Sequence, residues 1–185
     1  MKNIGGWIAL GLVVILVLTG ITSYNSLVGV NETVNGKWSQ VENQLQRRAD
    51  LIPNLVNTVK GYAAHEQQAI QSVADARAKL AGAQGPAAKA EANGELNSAL
   101  SRLLVVAENY PNLKADKNFR ALMDELSGTE NRIAVARKDY NDVVQVFNTK
   151  IRSFPSNLFA GMTGFTAKEY FKADEGAQRV PQVKF

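Results

Sequence analysis

The chain predicts an all-α protein: an N-terminal transmembrane helix, then an up-and-down four-helix bundle, then an irregular C-terminal tail. Three observations carry that expectation. Residues 4–21 (IGGWIALGLVVILVLTGI) are almost wholly apolar, and no charged side chain occurs between residues 3 and 31. The rest is rich in Ala, Leu, Glu, Gln, Lys and Arg, and no window alternates like a strand. Apolar residues recur three and four apart in long runs, and glycines and prolines punctuate them.

The first element is the anchor. Its 18 residues span roughly 27 Å as a helix, close to the thickness of a hydrocarbon core. Trp7 and Tyr24 bracket it where interfacial aromatics belong. A cleaved signal peptide is the competing reading, but the apolar run exceeds the usual ~7–15 residues and no clear A-x-A site follows. The α-amine and Lys2 flank one end and Lys37 the other, which favours an inside N-terminus. The bundle then lies on the extracytoplasmic side.

Leu27, Val30, Val34, Trp38, Val41 and Leu45 form one stripe that continues from the anchor without a loop. Leu55, Val59, Tyr62, Ile70, Val73 and Leu80 form a second, ended by Gly82, Gly85 and Pro86. A third holds Leu96, Leu100, Leu103, Leu104 and Ala107, and stops at Asn109-Tyr110-Pro111. The fourth starts near Asp116 and carries Phe119, Leu122, Leu126, Ile133, Tyr140, Val144, Phe147, Ile151 and Phe154, ending at Pro155. The tail, 156–185, is interrupted by Gly161, Gly164, Gly176 and Pro181, with Thr166 to Glu169 suited to cap a single helical turn. The expected organisation is therefore an anchor at 1–23, a bundle at 24–155 and the tail at 156–185.

Pro53 leaves two readings open. A proline inside a helix costs about 3 kcal/mol and kinks it. If residues 49–52 are instead a tight turn capped by Asp50, Pro53 falls in the first turn of a new helix, where it is tolerated. The turn gives four helices of roughly 25, 30, 24 and 38 residues, and is the expectation adopted. The alternative is one kinked rod of over ~50 residues with three helices in all.

Composition excludes much chemistry. There is no cysteine, so no disulfide, thiolate metal site or cysteine nucleophile. His65 is the only histidine; in HEQQA the second zincin position is Ala69, and a di-iron bundle site needs two imidazoles. The 21 basic and 17 acidic residues are interspersed, so no nucleic-acid stripe is present. Catalytic, cofactor and metal sites are not expected.

The candidate interaction residues are of three kinds. Arg47 and Arg48 beside Asp50 make either a basic patch for lipid or protein, or a local ion pair. Glu130, Arg132 and Arg137 share the fourth helix and can either pair with Arg77 or Glu108 across the bundle or set register between chains. Asn141 and Asn148, seven apart and each after an aromatic, either fix register or face solvent. The sequon at Asn31 is read as chance.

Several stretches together resemble the LemA family of bacterial membrane-anchored helical proteins: YNSLV at 24–28, the Trp38 region, LQRRADLIPNLV at 45–56, VKGYAAHE at 59–66 and AR at 76–77. ELSGTENRIAVARKDYNDVV at 125–144, VFNTKIRSFPSNLFAG at 146–161 and GF at 164–165 extend the match over residues 24–171. The resemblance implies one membrane helix and a helical bundle, and no known enzymatic activity. It also implies an N-terminus outside, opposite to the charge count. Some relatives resemble this junction but carry a lipobox; here Leu18-Thr19-Gly20 is followed by Ile21 instead of cysteine, so the segment is expected to stay as an anchor with the bundle outside the cytoplasm.

The expected function is a non-enzymatic single-pass protein of the bacterial inner membrane that self-associates into a scaffold through its helix faces. The alternative is an adaptor docking onto another membrane protein, such as a protease or transporter. The expected partners are the bilayer, further copies of the chain and, in the alternative, that second protein; nucleic acid is not one.

Overall fold

The structure, a computed structural model, describes residues 4–172. Lys2 of the charge count, and Gly176 and Pro181 of the tail, lie outside the described residues. Among the described residues six helices follow one another: α1 (Ile4–Tyr62), α2 (Gln67–Gly82), α3 (Gly85–Ala107), α4 (Pro111–Ala115), α5 (Lys117–Lys150) and α6 (Ser156–Thr163). No strand occurs among the described residues, as the missing alternation predicts.

The expected turn at 49–52 is absent. α1 is a single helix of 59 residues with Pro53 inside it, and the chain turns at residues 63–66 instead. Asp50 therefore caps nothing; it is exposed in mid-helix and accepts a hydrogen bond from Gln46 Nε2 at 2.8 Å. Two physical reasons override the proline. The buried stripe Val41, Leu45, Arg48, Ile52, Leu55, Val59 keeps its 4-3-4-3-4 spacing straight through, with Pro53 on the exposed side. And the carbonyl of Ala49, which loses its i+4 donor because proline has no N–H, accepts a hydrogen bond from Arg77 Nε at 2.9 Å.

The remaining boundaries follow their local chemistry. α2 stops at Gly82, and Gly85 (φ +77°) and Pro86 open α3 where the sequence placed a loop. Asp116 caps α5, its Oδ1 accepting the Phe119 N–H at 2.9 Å. α5 ends at Lys150, a turn before the expected stop. The tail's one described helix is α6, about ten residues ahead of the expected turn at 166–169, which is non-helical.

The chain forms two compact units. The first joins the described residues up to Trp38 with Asp139–Glu169. Its core holds Leu27 and Val34 of α1, Tyr140, Val144 and Phe147 of α5, and Ala160 of α6. Trp38 meets Tyr140 with centroids 5.2 Å apart, and Lys37 pairs with Asp139 at 2.8 Å. The second joins Ser39–Lys138 with the described residues from Tyr170 onward. Four long helical segments, from α1, α2, α3 and α5, and the short α4 build it, so a four-helix arrangement exists but with its first turn at 63–66. Its core includes Ile52, Leu55 and Val59, Val73 and Leu80, Leu96 and Leu103, and Leu126 and Ile133.

Candidate functional site

Three apolar stripes in the second unit each contain one polar residue. Arg48 interrupts Leu45 and Ile52; Asn93 precedes Leu96, Leu100 and Leu103; Thr129 sits between Leu126 and Ile133. All three are buried, and Arg48 is only 4% exposed. The fold joins Arg48 and Asn93 in one layer with Glu130, the neighbour of Thr129. Arg48 Nη1 donates to Asn93 Oδ1 at 2.8 Å and to Glu130, and its Nη2 donates to Asn97. The Thr129 hydroxyl donates to the Leu126 carbonyl at 2.8 Å. A buried guanidinium is tolerated only when its donors are met and its charge is balanced. Here an i, i+4 asparagine pair from α3 and a carboxylate from α5 meet Nη1 and Nη2 and balance the charge, tying α1, α3 and α5 into a single register.

At the next residue of α1, Arg77 of α2 reaches the freed Ala49 carbonyl. The pairing of Glu130 with Arg77 that the sequence allows is not formed; Glu130 takes Arg48 and Arg77 takes backbone. Arg47, the neighbour of Arg48, points outward and pairs with Glu125 at 2.7 Å. Arg132 shares that carboxylate at 2.9 Å and donates to Gln44 at 3.3 Å. Two adjacent arginines thus have opposite environments: Arg48 is interior and Arg47 is a solvated ion pair. Arg137 is half-buried on α5 and is not drawn into this layer.

In the first unit, Asn148 is buried and holds the tail. Its Nδ2 donates to the Lys168 carbonyl at 2.9 Å and its Oδ1 accepts the Lys168 N–H at 2.8 Å. The amide completes both backbone groups of that residue, as a neighbouring strand would. The Tyr140 hydroxyl donates to the Glu169 carbonyl at 2.8 Å. Burial, with the Glu169 carboxylate adding, pushes that phenol up to about 12. Asn141 is half-exposed on the same helix. Trp7 and Tyr24 are both exposed; Tyr24 lies 6.2 Å from Phe165, centroid to centroid.

At the far turns of the second unit, aromatic hydroxyls fasten the caps. Tyr62 donates to Asp116 at 2.9 Å and Tyr110 to Glu66 at 3.0 Å. The Phe119 N–H, then the Tyr62 hydroxyl, lower the Asp116 carboxyl below its ordinary value; the Asp116 hydrogen bond raises Tyr62. His65 is exposed in the turn between α1 and α2.

Among the described residues, no three of His, Asp and Glu gather where they could hold a metal ion. A groove of ≈ 550 Å³ is an open trough between α1 and the start of α5, lined by Leu51, Asn54, Thr58, Ala121, Leu122 and Glu125 among others. It has no nucleophile–base pair. The apolar start of α1 is long and apolar enough to cross a membrane, by length and composition, and none of that stretch is buried.

Sequence reasoning missed Asn93 and Asn97. The signal was present: Asn93 continues the 3-4-3 spacing of Leu96, Leu100 and Leu103. It also missed that Gly20 faces Phe159. A Cβ at Gly20 would sit 2.9 Å from the Phe159 ring, a closeness no local pattern reveals.

The chain is 31% identical over 186 residues to magnetosome proteins MamQ 1 and MamQ 2 of Paramagnetospirillum magneticum, covering 86% of this chain and 68% of theirs. It is 24% identical over 152 residues to protein LemA of Metamycoplasma hominis, covering 82% and 69%. None of these names states a reaction. The model of the LemA family matches residues 37–185, and the chain belongs to the LemA family.

Proposed function

We propose that this chain is a non-enzymatic single-pass membrane protein whose helical bundle self-associates into an oligomeric scaffold on the extracytoplasmic face of a bacterial inner membrane. The observation that carries the reading is where the apolar side chains lie. In α1, Trp7, Ile8, Leu12, Ile15 and Leu16 are all more than half exposed. Water opposes such exposure by about 25 cal/mol per Å², and acyl chains do not. In the second unit, Leu104, Val105 and Val135 stay exposed while Arg48, Asn93 and Glu130 hydrogen-bond to one another inside it. What the unit offers a partner is surface.

Light scattering on the full chain in detergent tests this. The protein component should be several times the chain mass of 20.1 kDa. A clean monomer across micromolar concentrations ends the scaffold reading.

The open groove beside Leu51 and Leu122 favours a second reading, an adaptor that accepts a helix of another membrane protein. Photocrosslinkers at Val135 and at Leu122, activated in native membranes, separate the two. Adducts between copies of the chain through Val135 support the scaffold; adducts to one different protein through Leu122 support the adaptor. Sidedness is read by protease access to the bundle in intact spheroplasts.

A further inference from the structure

We propose that α6 and its flanks form a second membrane element, a short helix lying in the lipid interface beside the C-terminal end of the apolar stretch of α1. This rests on the reading of α1 as a membrane span. Three observations within the first unit lead to it.

The first is level. Lys150, at the end of α5, donates to the Ser26 hydroxyl. The chain then descends, so that Phe159 of α6 packs against Gly20. It returns to Tyr24, which meets Phe165. Gly20 lies four residues, or about 6 Å, closer to the bilayer centre than the interfacial Tyr24. Interfacial helices bury their apolar faces by roughly 5–10 Å. Gly20 is also inside the uncharged run that ends at residue 31.

The second is the division of faces. Phe159 and Ala160 turn toward the protein, and Ala160 is buried. Leu158 and Met162, spaced four apart on α6, form the other face and are 56% and 83% exposed, and Phe154 in the turn before the helix is 81% exposed. Leu158 and Met162, held outward on the helix that reaches Gly20, continue the surface that α1 itself presents to lipid, and Phe154 adds to it at the helix entry.

The third is charge. Residues 153–167 (SFPSNLFAGMTGFTA) contain no Asp, Glu, Lys or Arg. Arg152 precedes them and Lys168 follows. Basic residues at both ends of an uncharged stretch suit the phosphate level. The occupant of this face is therefore lipid: acyl chains against Phe154, Leu158 and Met162, and headgroup phosphates near Arg152.

The chain has no native cysteine, so single labels are unambiguous. Met162→Cys, Leu12→Cys and Gly36→Cys are made in the full chain, labelled with an environment-sensitive fluorophore and reconstituted in phosphatidylethanolamine–phosphatidylglycerol vesicles. Gly36 is exposed with open space around it, about 24 Å along α1 from Gly20. Quenching by brominated lipid is compared with quenching by aqueous iodide. The expectation is several-fold stronger lipid quenching at Met162 than at Gly36, with iodide quenching reduced in the same proportion. Lipid quenching at Leu12 with iodide quenching at Met162 equal to that at Gly36 overturns the inference and leaves the span intact. A Met162 label shielded from both quenchers also overturns it, because protein then covers the face. Absence of lipid quenching at Leu12 removes the span and the inference together.

Discussion

Replacing Arg77 with methionine tests how α1 carries a proline without breaking. Methionine keeps most of the stem's packing and removes the Nε donor, which sits 2.9 Å from the Ala49 carbonyl. Ala49 is buried, at 5% exposure, so water does not readily replace the lost donor. Leaving a buried carbonyl unmet costs about 1–3 kcal/mol. A central value near 2 kcal/mol is roughly a 30-fold change in the unfolding equilibrium. The decisive measurement is a double-mutant cycle with Pro53→Ala. Alanine at 53 restores an N–H four residues beyond Ala49, so the helix can satisfy its own carbonyl and Arg77 becomes less needed. Arg77→Met should then cost well under ~1 kcal/mol, leaving a coupling energy of about 1–2 kcal/mol. Urea unfolding of the detergent-solubilised chain, followed by far-UV circular dichroism, supplies the four stabilities, compared at equal m-value. Equal costs for Arg77→Met in both backgrounds would refute the reasoning. Arg77 would then act through packing or charge alone, and the continuity of α1 would need another cause.

Other expectations follow from the same geometry. Arg48→Ala should destabilise by ~3 kcal/mol or more in the same urea assay, since it strips Asn93, Asn97 and Glu130 of a shared donor, while Arg47→Ala, losing an exposed pair, should cost under ~1 kcal/mol; equal costs would deny the buried layer its role. Asn148→Leu should release the tail, seen as faster hydrogen exchange at the Lys168 amide, with exchange elsewhere on α5 unchanged. The raised Tyr140 phenol favours the neutral form in the folded protein, so its contribution is complete below pH 10.0 and is lost as pH climbs from there to about 12; Tyr140→Phe should remove the latest step of the tyrosinate absorbance titration at 295 nm. The lowered Asp116 carboxyl works at the other end: its contribution holds above its ordinary value of 3.8 and disappears as pH falls below that, so Asp116→Asn should flatten the acid limb of stability against pH.

Much of the fold could be read from residues alone, and the exceptions share one cause. The Gly82–Pro86 loop, the Pro111 break and the Asp116 start were legible because glycine, proline and a capping carboxylate act within a turn of where they stand. The polar layer was half legible. Arg48 and Glu130 were singled out, and Asn93 was on its stripe, but which partner each takes depends on how three helices align. Gly20 and Phe159 are 139 residues apart, so no local signal connects them.

The all-α class, the apolar first segment and the absence of thiol or paired-imidazole chemistry were determined by the sequence itself, because periodicity and composition are properties of one chain read in order. Whether Pro53 ends a helix was decided only in the tertiary structure. The missing N–H is local, but its remedy is a guanidinium 24 residues downstream that reaches the Ala49 carbonyl only after α2 has folded back. The same holds for the outward face of α6: its spacing is written in the chain, but its level beside Gly20 exists only once the end of α5 has docked near Ser26.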